Sequence, residues 1–250
     1  KMLRAIADAA ARWHGRVRAT ACIGHALDPD QPDQIERTIA ETLPAVTAEF
    51  PGVTIDAYCE KGAWSLDDCL RLFDAAREAG HAVRVHADQF NDLGLIPEAI
   101  RRGFRSVDHL EATTPAHLDA LAGSDLAGVM LPASGFHLDQ RYANGRAFVD
   151  SGGAVVLATN LNPGSAPVHD LPTAIALAVR FNGLTPAEAI SACTRNGAHL
   201  LEFDDLGRIE PGAAADAVLL RHTDERALAH DVGGRHADLV VCGGEVVFRA

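Results

Sequence analysis

Apolar positions recur along the chain in two alternating rhythms. Over residues 1–13, 34–49, 65–79, 95–102, 114–122 and 141–150 they return every three or four residues, the spacing of one helical face. Between these stretches lie short β-branched or apolar runs at 17–23, 53–58, 82–86, 106–109, 126–131 and 154–159, which predict six strands. Ser, Thr or Pro opens several of the helical stretches and Gly closes several. Two further helices are expected at 172–182 and 185–196, the second opened by Thr185-Pro-Ala-Glu188, which has the form of a capping box. Regular alternation of strand and helix predicts a parallel sheet, either a barrel or a doubly wound sheet.

From about Leu206 the rhythm changes. Residues 207–220 and 237–248 read as short strands with Gly243-Gly244 as a hairpin turn, and 224–235 reads as a loop. The expected division is a barrel over 1–203 and a small β domain over 204–250.

Composition narrows the function. With 250 residues, 48% of them hydrophobic, the chain has material for a substantial core. A formal net charge of -12 argues against a nucleic-acid partner, which would need a surplus of Lys and Arg on one face. The five cysteines form no CxxC pair and read as reduced thiols, so a cytoplasmic setting is expected. No apolar run approaches the roughly 18 residues of a membrane span. A helical pattern already under way at Lys1 reads as a chain that continues upstream.

In a parallel barrel the C-terminal ends of the strands ring a single mouth, so polar residues there are the first candidates for chemistry. His86 closes the third predicted strand and is followed by Ala87-Asp88-Gln89; His109 closes the fourth; Thr159-Asn160 closes the sixth. A neutral imidazole at the first place can ligate a divalent cation, and one at the second can orient substrate or shuttle a proton. Taken singly, a strand-end His is more often a hydrogen-bonded structural residue than a ligand; two on successive strands make the functional reading competitive. The nine other His residues apart from His25 sit mainly in helices or loops and are expected at the solvated surface. Asp108 is expected on the opposite side of its strand from His109. The Gly164 and Ser165 amides in Asn160-Leu-Asn162-Pro-Gly164-Ser165 are suited to holding a carboxylate or ring carbonyl.

Through Cys59-Glu-Lys-Gly-Ala-Trp-Ser65, His86-Ala-Asp-Gln89, Asp108-His109-Leu-Glu111, Leu131-Pro132 and Ala158-Thr-Asn-Leu-Asn-Pro-Gly-Ser165, the sequence resembles the imidazolonepropionases of the amidohydrolase superfamily. The run Gly207-Arg-Ile-Glu-Pro-Gly-Ala-Ala-Ala-Asp216 is similar to the superfamily's C-terminal signature. The resemblance implies an α/β fold: strands three to eight of a TIM-type (β/α)8 barrel, followed by the C-terminal part of a small β domain. It implies hydrolysis of 4-imidazolone-5-propanoate to N-formimidoyl-L-glutamate, with zinc or iron activating water. By position it makes His86 and Asn160 metal ligands, His109 and Gln89 catalytic, and His25, Gln89, Asn162, Gly164 and Ser165 substrate-binding. The expected partner is a small-molecule substrate, with a homodimer as the candidate assembly and neither nucleic acid nor membrane involved.

Two departures from the family pattern qualify this. The strand-one His-x-His pair has no counterpart, and the strand-eight Asp is Asn160. Of four expected ligands only His86 is unaltered, so metal binding is expected to be weak. A related cyclic amidohydrolase or deaminase, and a catalytically inactive relic, are the alternatives.

Overall fold

A computed structural model describes all 250 residues. Six strands form one parallel sheet in chain order: β1 (Thr20–Gly24), β2 (Thr54–Cys59), β3 (Val85–Ala87), β4 (Ser106–His109), β5 (Ala127–Met130) and β6 (Ala154–Leu157). The sheet does not close; β1 and β6 are its edges. Three more strands, β7 (Ala217–Leu220), β8 (Ala237–Cys242) and β9 (Glu245–Arg249), make a separate antiparallel sheet. No helix is long and apolar enough to cross a membrane.

Alternation along each strand divides the large sheet into two unlike faces. On the helix side Ala21, Ile55, Ala57, Cys59, Val85, Ala87, Val107, Met130, Val155 and Leu157 join one buried core with Trp64, Leu72, Phe73 and Phe148. The packing is close: a Cβ on Gly128 of β5 would lie 2.8 Å from the Phe148 ring, so the glycine makes room for the aromatic. Truncating such a fully buried Phe costs about 3–5 kcal/mol. The opposite face changes character across the sheet. It is polar on β1 to β4, with Cys22, Asp56, Tyr58, Arg84, His86, Ser106 and Asp108, and apolar on β5 and β6, where Val129 and Val156 form a small cluster with Ala127 and Leu131.

Several expectations need correction. The first strand starts at Thr20 rather than 17, because pairing begins where Thr20 meets Thr54. The helix expected over 34–49 is broken by a π-helical turn at Thr38–Thr42, and that expected over 172–182 ends in another at Ala178–Asn182. The helix expected over 185–196 ends at Cys193, and a second begins at Arg195. Short helices also occur where none is expected, at Pro132–His137 and, inside the expected loop, at Ala227–His230. Two histidines expected at the surface are buried. His81 is satisfied there by Thr47 Oγ1 at 2.8 Å and Val53 O at 2.7 Å, whereas His236 has an Nδ1 with no partner.

Candidate active site

The polar half of the sheet face places its side chains in a short arc at the C-terminal strand ends. His86 lies beside Tyr58 of β2 and Asp108 of β4 in register. Its Nδ1 is 2.9 Å from Asp56 Oδ2, and Asp56 is almost wholly buried. A carboxylate can only accept, so Nδ1 carries the proton and Nε2 keeps a lone pair. Burial opposes protonation of His86, but the Asp56 charge and hydrogen bond outweigh it and raise the pKa above the ordinary histidine value.

Around His86 stand three more rings. The His109 ring is 5.5 Å away between centroids and that of His25 6.4 Å away, while His25 stacks on Tyr58 at 5.2 Å. Burial, then the nearby His86, lowers the His25 pKa. The Tyr58 hydroxyl donates to Gln89 Oε1 at 2.9 Å, and burial followed by the charge of Glu60 raises its pKa. His109 reaches the same side by leaving the strand conformation: its φ is 89° and that of Leu110 is 72°. The expected opposition of His109 and Asp108 fails because His109 turns; Asp108 stays on the sheet face of His86 and pairs with Arg84 while accepting from Ser106 Oγ at 2.7 Å. His109 Nδ1 is 3.2 Å from Glu111 Oε1, and the other Glu111 oxygen is buried without a partner.

Gln89 is held in place from behind. Glu60, at the end of β2, is buried and accepts from the Phe90 amide at 2.9 Å, the Asn91 amide at 3.2 Å and Asn91 Nδ2 at 2.7 Å. Asp88, also buried, accepts from Thr113 Oγ1 at 2.9 Å, and burial pushes its carboxyl up to about 7. The turn between β3 and the next helix is thus tied down by two acidic side chains.

Asn160 stands apart from this arc. With φ 53° it follows β6, and its Nδ2 donates to Ser134 Oγ at 2.7 Å. Ser134, Gln89 and Glu111 line one narrow crevice, and Glu111 is the partner of His109. Asn162 folds back on its own loop: its Oδ1 accepts from the Gly164 amide at 2.9 Å and the Ser165 amide at 2.7 Å, and its Nδ2 donates to Ser165 Oγ at 2.9 Å. The two amides expected to face a ligand are therefore engaged within the loop. A hollow of about 1940 Å³ lies elsewhere, between the apolar half of the sheet face and the small sheet, lined by Val129, Val156, Phe203, Val218 and Phe248 among others.

As metal donors, His86 fits through Nε2, with Asp56 as the carboxylate that commonly orients a ligating His. Asn160 keeps a free Oδ1 because Nδ2 is held by Ser134. Cys22 Sγ lies with Asp56 and His86 in a group of ligand atoms within 4.8 Å, yet burial and then the Asp56 charge raise its thiol pKa. Taken together, these donors fall short of the three protein ligands usual for catalytic zinc.

The residues that reading from the sequence missed are Asp56, Tyr58, Arg84 and Ser134. Asp56 and Tyr58 had a signal, since two polar groups at i and i+2 in an apolar strand share a face; Ser134 had none.

Residues 2–247 match the family described as Amidohydrolase family. The chain is 43% identical to an imidazolonepropionase of Deinococcus deserti over 199 residues, which is 80% of this chain and 50% of that protein. With an imidazolonepropionase of Deinococcus radiodurans it shares 38% identity over 247 residues, 98% of this chain and 61% of that one. The chain thus spans between half and three-fifths of the length of these relatives. Its fold is similar to that of a variant atrazine chlorohydrolase from Arthrobacter aurescens in complex with zinc and atraton, with a TM-score of 0.71, 19% identity, and 99% of this chain and 64% of that one covered.

Proposed function

The chain belongs to the amidohydrolase family, and from that footing we propose that it serves an imidazolonepropionase-type hydrolase, opening 4-imidazolone-5-propanoate to N-formimidoyl-L-glutamate. The observation that carries the reading is the grouping of His25, Tyr58, His86, Gln89 and His109 at one set of strand ends in a chain 43% identical to an imidazolonepropionase.

In this reading water adds to the ring carbonyl carbon, the ring C–N bond breaks, and the departing nitrogen takes a proton. Zinc or iron, when bound, supplies polarisation of water and carbonyl; His86 Nε2 and Asn160 Oδ1 are the ligands assigned here. An amide cannot accept the water proton near neutral pH, so Asn160 is not the base. His109 takes that role: with Nδ1–H donated to Glu111, its Nε2 has the lone pair to receive a proton and later deliver it to the leaving nitrogen. His25 and Tyr58 present aromatic faces against which a planar imidazolone can lie. Gln89, oriented by Tyr58 and by the Glu60 clamp, can hydrogen-bond a ring N–H and C=O together. The Asn162, Gly164 and Ser165 loop is assigned to substrate, which must displace Asn162 Oδ1 to reach the two amides. A small-molecule substrate and a cytoplasmic setting belong to the same proposal.

The test is anaerobic loss of imidazolone absorbance, catalysed by the chain alone and by the chain joined to the N-terminal segment of a curated relative. Turnover by the joined protein that His109→Ala removes supports the reading. Turnover equal in the His109→Ala variant would refute His109 as the base, and a folded, metal-loaded joined protein with no turnover would favour a catalytically inactive relic.

A further inference from the structure

The connection from β7 to β8 contains a second set of donors that the proposed reaction does not use. We propose that His222, Asp231 and His236 bind a divalent transition-metal cation of the zinc class, which clips this connection shut.

The ligand atoms of these three side chains lie within 4.8 Å of one another. His222 Nε2 is 3.8 Å from Asp231 Oδ2, and the two imidazole centroids are 6.3 Å apart with the rings inclined at 56°. His236 is only 6% exposed, and its Nδ1 has no hydrogen-bond partner. A buried polar atom left unmatched is costly, and a cation accepting its lone pair would remove the cost.

The backbone brings the three together by local rules. Arg221 N donates to His236 O at 2.8 Å, closing the stem of the connection so that His222 and His236 straddle it. Asp231 is delivered by the turn of helix at Ala227–His230, and its amide donates to Ala227 O at 2.9 Å. The Asp231 carboxylate lies directly against Gly234, where a Cβ would come within 2.0 Å of Oδ2. No Arg or Lys pairs with Asp231; the nearby Arg221 is taken by Asp238 at 2.8 Å.

Two imidazoles and one carboxylate select zinc and its neighbours over calcium or magnesium, which prefer oxygen alone. Metal–ligand bonds of about 2.0–2.1 Å in a tetrahedron put ligand atoms about 3.3 Å apart. His222 and Asp231 have side chains 44% and 49% exposed, so they can move inward that far, and water fills the fourth position.

The test uses the whole chain, stripped of metal by chelator and dialysed against micromolar zinc. His86→Ala removes the imidazole at β3 and so silences the other candidate centre. That variant should retain one zinc, and adding His222→Ala or Asp231→Ala should weaken it at least tenfold, with circular dichroism unchanged because both positions are half exposed. Zinc should also slow proteolysis within 224–235 in the His86→Ala protein, but not when His222→Ala is added. Loss of all zinc with His86→Ala alone, or affinity indifferent to both His222→Ala and Asp231→Ala, overturns the site. Neither result depends on ring-opening activity.

Discussion

Asp56 and His86 meet across neighbouring strands with Oδ2 2.9 Å from Nδ1, and this contact decides which nitrogen His86 can offer to the site. Replacing Asp56 by Ala leaves the ring free to turn and to change tautomer. In the chain joined to a relative's N-terminal segment, zinc affinity at the strand ends should then fall about 10- to 100-fold, the usual cost of removing an orienting partner. Equilibrium dialysis measures it, in a His222→Ala background so that the connection's donors do not contribute. An unchanged affinity would mean that packing alone orients His86.

Asn160 keeps a ligand oxygen but no basicity. In the same joined protein, Asn160→Asp should raise ring opening about 100-fold or more, because the carboxylate would take the water proton and leave His109 only its delivery to the departing nitrogen. His109→Ala should abolish the gain. Equal rates with and without the Asn160→Asp substitution, followed by imidazolone absorbance, would show that His109 already carries the whole proton transfer.

Glu188 links helix capping to a cross-element ion pair. It accepts from the Thr185 amide at 2.7 Å and from Arg146 at 2.9 Å, and the Arg146 contact, followed by the Thr185 amide, lowers its pKa to about 2. A carboxylate depressed in the folded state stabilises fully above its ordinary pKa near 4.5, and that contribution is lost as pH falls toward 2. Glu188→Ala should cost about 1 kcal/mol at pH 7, the scale of a lost cap. The difference from the parent should shrink in urea melts between pH 6 and pH 3.5; a gap that stays constant would remove the ion pair from the explanation.

The sheet edges β1 and β6 have no strand beyond them, and the apolar part of the face opens into the large hollow. Unpaired strands of this kind template association. The 250-residue chain by itself should elute from size-exclusion chromatography as oligomers whose size grows with concentration. A sharp monomer peak with cooperative unfolding would show that both edges are covered in solution.

What could be read from the sequence was what depends on local period. All six strands of the large sheet are expected within a few residues of where they lie, because β2, β5 and β6 alternate or run apolar between turn residues. Pairing partners are not readable, which is why residues 17–19 look like strand. The direction of His109 depends on two consecutive left-handed residues, and no alternation rule foresees those at non-glycine positions. The helix at Pro132–His137 is short and contains Gly135 and Ser134, so propensity argues against it; burial of Ser134 and its bond from Asn160 are tertiary facts. For His81 and His236 nothing nearby in sequence distinguishes them from surface imidazoles; His81 is held by Thr47 and Val53, which lie well upstream.

Asn162 gives its loop a resident surrogate for an anion, because its side-chain oxygen already sits between the Gly164 and Ser165 amides. With both N–H groups matched, the loop has little reason to collapse or to recruit stray ions. In the substrate role proposed for this loop, a carboxylate or carbonyl arriving there would gain only the difference between its own hydrogen bonds and those it replaces. Selectivity at this point is a contest between two acceptors, in which a charged oxygen outcompetes an amide and a neutral ligand does not.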